Sequence, residues 1–178
     1  DTGKSTHVGE SGRIHGADYS LVDYNRAGVP LMEIVSRPDI SNSEEARAYV
    51  SELRAVLKTI GVSDVKMEEG SMRVDANVSV RKIDDPELGT RAEIKNMNSL
   101  RSLGRAVDYE IMRQIKRVKS GEKIVQETRH WNENEGQTSS MRSKEEANDY
   151  RYFPEPDLVP VAPTDEMRKS VHDSMPEL

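Results

Sequence analysis

From Met72 to Arg81 hydrophobic and polar residues alternate. Met72, Val74, Ala76, Val78 and Val80 fall on one side, and Arg73, Asp75, Asn77, Ser79 and Arg81 on the other. A period of two belongs to a strand whose faces meet different surroundings, so a half-buried strand is predicted here. "TRAEIKNMN" repeats the pattern, with Ala92 and Ile94 opposed to Arg91, Glu93 and Lys95. The link between them, "IDDPELG", is short enough to predict an antiparallel pair.

Elsewhere the period lengthens to that of a helix. In "SNSEEARAYVSELRAVLKTIG" the apolar stripe is Ala46, Tyr49, Val50, Leu53, Val56, Leu57 and Ile60. Ser41 or Ser43 suits the cap, Glu44 and Glu45 the first turn, and Gly61 the stop. A second helix is predicted from Ser99 to Gly121, with Leu100, Leu103, Val107, Ile111, Ile115 and Val118 as its stripe. "KIVQETRHW" and "GQTSSMR" predict a hairpin around Asn132–Gly136. Nearer the start, "DYSLVDYNRAGVPLMEIVSRPDI" reads as two strands around Arg26–Pro30, the second ended by Pro38. "SKEEAND" reads as a short helical turn. Four of the eight prolines lie between Pro154 and Pro163, marking an extended exit, and residues 164–178 read as the start of a helix. This order predicts an α+β fold: an antiparallel sheet with helices packed on one face. The other face is then left polar and open.

Composition narrows the function. A net charge of −6 makes the chain as a whole no polyanion binder, so any nucleic-acid contact is local or carried elsewhere. Without cysteine there are no disulfides, thiolate metal sites or thiol nucleophile, and the chain suits a reducing cytoplasm. No apolar run nears the ~18 residues of a membrane span. Gly3-Lys4-Ser5-Thr6 has the ending of a phosphate-binding loop, but Gly9, Gly12 and Gly16 follow where that motif needs a helix. It reads as a polar turn. His7, His15, His130 and His172 lack partners at ligand spacing and read as surface or capping residues.

The open face carries the candidate chemistry. Paired strands bring same-face residues within ~4.5–8 Å, so Asp75 and Glu93 can converge on one hard cation. Mg²⁺ takes carboxylate oxygens with waters and phosphate, and Arg73 and Lys95 suit the remaining phosphate charge. The same alternation also fits a solvated face with cross-strand ion pairs, each worth a fraction of a kcal/mol. "DYRYFPEPD" fits either an aromatic anchor for the exit strand or an Arg151 near phosphate.

Several long blocks resemble one family: "SLVDYNRAGVPLMEIVSRPDI", "VSDVKMEEGSMRVDANVSVR", "TRAEIKNMNSLRSLGRAVDYEIMRQI", "VQETRHW" and "MRSKEEANDYRYFPEPDL". They are similar to the B subunit of the glutamine-dependent aspartyl/glutamyl-tRNA amidotransferases, the GatB/GatE family, from about Ser20 to Leu158. The resemblance implies a glutamine synthetase-like cradle over residues 1–160. Residues 161–178 would form a linker and the start of a helical domain. It also implies that further strands with an acidic metal-binding run precede Asp1, and that tRNA-holding domains follow Leu178. "ESGRIHGAD" looks like a local insertion, and Gly-Lys-Ser-Thr falls at the start of a hairpin. The implied activity is an ATP-dependent carbon–nitrogen ligase needing Mg²⁺. It phosphorylates the side-chain carboxylate of Glu or Asp misacylated on tRNA-Gln or tRNA-Asn, then amidates it with ammonia. That ammonia comes from the partner amidase, the A subunit of the amidotransferase, with its small C subunit completing the assembly. Asp75 and Glu93 match acidic positions that hold divalent cations in the family. Arg73, Lys95 and Arg151 are expected as phosphate or substrate contacts. Rival readings are a non-catalytic assembly module of the same complex and a stand-alone acid–amine ligase.

Overall fold

The computed structural model of the chain describes residues 4–9, 17–143 and 156–176. They fall into two units, Asp1–Asp39 and Ile40–Leu178. In the first, β1 (Lys4–Gly9) pairs antiparallel with β2 (Ala17–Asp23), Thr6 opposite Leu21. The Gly-Lys-Ser-Thr stretch therefore enters a strand, not a polar turn, and the hairpin placement implied by the resemblance is observed. Beyond β2 the Asp23 carboxylate accepts the Asn25 N–H at 2.8 Å, and Gly28 takes φ +80°. Leu31–Val35, expected as a strand, forms none. A strand needs a partner ladder; this segment lies between Pro30 and Pro38, which lack an N–H to donate to one. Most of the "ESGRIHGAD" insertion lies outside the described residues.

The second unit contains α1 (Ser43–Thr59), β3 (Val74–Val78), β4 (Ala92–Met97), α2 (Leu100–Lys119), β5 (Glu127–Asn132), β6 (Gln137–Ser143) and α3 (Asp165–Ser174). Asn42, not Ser41 or Ser43, caps α1: its Oδ1 accepts the Glu45 N–H at 2.9 Å. Glu45 in turn accepts the Ser41 N–H at 2.7 Å. Gly61, at φ +72°, ends the helix, with bonds from Gly61 N–H to Lys58 O and from Val62 N–H to Leu57 O. This is the paired closure that a left-handed residue permits. Ser99 caps α2, and Gly121 ends it in the same way.

The sheet order is β3-β4-β5-β6. Its hairpins β3/β4 and β5/β6 are antiparallel as predicted, whereas β4/β5 is parallel. The cause is α2, which joins β4 to β5 as a crossover and so returns the chain in the same direction. The architecture is mixed α+β with helices on one face. There α2 lies over β3, β4 and β6, and α1 packs on α2. The core between them is Ala46, Val50, Val78, Ile94, Met97, Leu103, Ala106, Val107 and Trp131. Burying Ile94 and Leu103 contributes ~1.5–3 kcal/mol each. The "SKEEAND" turn lies outside the described residues. The helix expected after residue 164 is α3, capped by Thr164 and exposed throughout. Among the described residues no helix is long and apolar enough to cross a membrane.

Candidate functional site

Burial along β3 follows the alternation: Asp75 and Asn77 are exposed, Ala76 is partly buried and Val78 is buried. Across the ladder Ala76 opposes Ile94 and Asn77 opposes Glu93, so the polar side chains of both strands share the open face. The register slips by one residue between Val74 and Ala76, placing a bulge in β4 opposite Asp75. Asn96 takes the extra position with φ +72°, a left-handed conformation that Asn tolerates better than most residues. Without the bulge Met97 would share a face with Lys95 and Glu93. With it, Met97 returns to the core while Lys95 stays outside.

On that face Lys95 Nζ lies 3.0 Å from Asp75 Oδ2 and 3.6 Å from Glu93 Oε1. Partial burial pulls the ammonium downward, but the Asp75 hydrogen bond and the charges of Asp75 and Glu93 prevail, raising its pKa above the usual lysine value. The far oxygen of Glu93, Oε2, accepts from the Thr128 hydroxyl at 2.9 Å. Thr128 lies directly across β5 from Glu93, and His130 directly across from Lys95. Asn96 Nδ2 donates to the Trp131 carbonyl at 3.1 Å and lies 3.2 Å from His130 Nε2. A carbonyl can only accept, so it orients the Asn96 amide with its NH₂ toward the ring. His130 Nε2 must then be the acceptor, which places the neutral imidazole's proton on Nδ1.

The structure thus brings Asp75, Glu93 and Lys95 together. Arg73 is exposed one residue before β3, and Arg151 lies outside the described residues. Sequence reasoning missed Thr128 and set His130 aside as a surface residue, because β5 was paired only with β6. The signal was present: Thr128 and His130 alternate with Arg129 and Trp131, which are buried. Among the described residues, no three acidic or histidine side chains gather as a metal site. Mg²⁺ nonetheless commonly takes one or two protein carboxylates and completes its shell with phosphate and water. Facing carboxylates on neighbouring strands, Asp75 and Glu93 are hard-oxygen donors of that kind and number, and they fit it.

Behind the sheet lies a second polar group that the apolar stripes did not reveal. Glu110 on α2 is fully buried and accepts from Arg113 Nε at 2.8 Å, Arg113 Nη2 at 2.6 Å and Gln114 Nε2 at 2.8 Å. Arg129 from β5 donates to the Thr138 hydroxyl and carbonyl and pairs with Glu127. Gln114 also donates to the Val78 carbonyl at 2.9 Å. These bonds tie α2 to β3, β5 and β6. They hold the strands that carry Asp75, Thr128 and His130.

A family model described as the GatB/GatE catalytic domain matches residues 1–169. Among curated relatives, the B subunit of the aspartyl/glutamyl-tRNA(Asn/Gln) amidotransferase of Frankia casuarinae is 59% identical over 100% of this chain and 36% of its own length. That of Kineococcus radiotolerans is 57% identical over 99% of this chain and 36% of its own. That of Thermoanaerobacter sp. is 56% identical over 100% and 36%. The chain spans 36% of the length of these relatives. With the family model covering nearly all of it, the chain belongs to the GatB/GatE catalytic domain family.

Proposed function

We propose that this chain is part of an ATP-dependent ligase that amidates the side-chain carboxylate of Glu or Asp misacylated on tRNA. The observation that carries the reading is the open sheet face, where Asp75, Glu93 and Lys95 converge in a chain of this family. The reaction has two steps. The γ-phosphoryl group passes from ATP to a carboxylate oxygen, releasing ADP. Ammonia then attacks the acyl carbon, and the C–O bond to phosphate breaks, giving the amide and inorganic phosphate. Neither step needs a protein nucleophile; both need positioning and charge compensation. Mg²⁺, when bound, would supply Lewis-acid compensation of phosphate charge. Asp75 and Glu93 would hold it, while Thr128 keeps Glu93 in place through its second oxygen. Lys95 would contact phosphate oxygens, and Arg73 and Arg151 are assigned the same role by charge. The ammonia source is the partner amidase, with the small third subunit in the assembly, as the relatives' names fit.

An assembly-only role is the weaker alternative. Interface cores are depleted in charge, and this face is rich in it. The test is Asp75→Ala in the complete amidotransferase. Side chains on the opposite sheet face are untouched, so the thermal midpoint should stay near wild type while ATP-dependent amidation falls by orders of magnitude. Amidation within about threefold of wild type at saturating Mg²⁺, ~0.65 kcal/mol of barrier, would overturn the assignment.

A further inference from the structure

Lys95 occupies the position that the proposed function assigns to a metal ion. Its ammonium lies between Asp75 Oδ2 and Glu93 Oε1, the oxygens of the two strands that face each other. Two carboxylates facing each other repel unless a cation sits between them. In this structure that cation is a side chain of the same strand as Glu93. We propose that Lys95 is an exchangeable stand-in for the metal, which must leave the carboxylate pair before a divalent cation enters. The inference rests on the metal reading given above, and concerns the order in which the site fills.

Three observations support the exchange. First, the partners differ in how firmly they are held. Glu93 is pinned by the Thr128 hydroxyl and its side chain is only 18% exposed, whereas Lys95 is 43% exposed at the end of a flexible four-carbon stem. The lysine is the member free to swing. Second, the bulge at Asn96 fixes the backbone next to Lys95, with the Asn96 amide bonded across to β5. The frame therefore stays while the side chain moves. Third, the carboxylate pair and the ammonium compensate one another. A bare divalent cation entering would have to displace a charge already satisfied. A metal that arrives with a nucleotide brings phosphate oxygens, which give the displaced ammonium a new partner of the same chemistry. Free metal is thereby disfavoured against metal–nucleotide, and the site stays charge-balanced in both states.

The exchange gives opposite signs for two ligands. Lys95→Met and Lys95→Gln remove the competitor, so in the full-length chain they should bind free Mn²⁺ about fivefold tighter or more, ~1 kcal/mol. The same variants should bind Mn²⁺–ATP more weakly than wild type, since the displaced lysine's phosphate contact is gone. Lys95→Arg retains a cation and should leave free-Mn²⁺ affinity near wild type. The readout is bound Mn²⁺ by electron paramagnetic resonance, with circular dichroism to confirm that each variant is folded and Asp75→Asn as the site control. If Asp75→Asn abolishes Mn²⁺ binding while Lys95→Met and Lys95→Gln bind it no tighter than wild type, the exchange is wrong and the metal reading stands. If Asp75→Asn binds Mn²⁺ as wild type does, the metal reading fails and the exchange falls with it.

Discussion

Removing the Glu110 carboxylate is the most demanding test of how the sheet is held. In Glu110→Ala, Arg113 loses acceptors at 2.6 and 2.8 Å, Gln114 loses one at 2.8 Å, and Arg129 loses a counter-charge at 3.5 Å. Breaking a buried ion pair from one side costs ~3–5 kcal/mol, because the remaining charge stays out of water. Here both guanidiniums keep Glu127: Arg129 through a direct hydrogen bond, Arg113 at 3.7 Å. Arg129 also keeps both bonds to Thr138, and Arg113 retains some contact with solvent. The expected loss therefore lies at the low end, about 3 kcal/mol. For a chain of 178 residues that is a fall of roughly 6–12 °C in Tm. Urea denaturation followed by fluorescence is well suited, since the single tryptophan, Trp131, is buried in the same unit. Arg113→Ala added to Glu110→Ala should cost under ~1 kcal/mol more, because the orphaned charge leaves with it. A loss below ~1 kcal/mol for Glu110→Ala, or a double variant that simply sums the two single costs, would refute this account.

Two further outcomes are expected. Burial pushes the Glu127 carboxyl upward, but a Ser140 hydrogen bond, Arg129 and Arg113 outweigh it and hold its pKa below the ordinary value of 4.5. A carboxyl depressed in the folded state stabilises the fold above its unfolded pKa, and that stability is lost as pH falls through the lower, folded value. Glu127→Gln should therefore flatten the acid limb of urea midpoint against pH, and an unchanged slope would count against the pairing. At Asn96, φ +72° makes Ala strained by ~1–2 kcal/mol and removes the bond to Trp131 O, whereas Gly removes the bond alone. Asn96→Ala should thus be the less stable of the two by about 1 kcal/mol in chemical denaturation, and equal stabilities would argue against strain at the bulge.

Elements whose signal is local were legible in the chain before any fold was known. Both long helices announce themselves through a 3.6-residue stripe between a capping side chain and a glycine, and Gly61 and Gly121 stop them by adopting positive φ. The alternation from Met72 to Val80 already separates a core face from one bearing Asp75, and Ala92 to Lys95 does the same for Glu93. The family, too, was legible in contiguous blocks. Features that depend on partners distant in the chain were settled by the fold. The direction of β5 beside β4 follows from the return path of α2, and that pairing brings Thr128 to Glu93 and His130 opposite Lys95. Nothing local marks Glu110 or Arg129 as buried, since charged residues are assigned to the surface until their counter-charges are known. The strand expected at Leu31–Val35 failed for the same reason, because β-prone residues become a strand only against a ladder. Whether Lys95 reaches a phosphate or the carboxylates was equally open. A one-residue bulge set it between Asp75 and Glu93, and register is a property of two strands, not of either sequence alone.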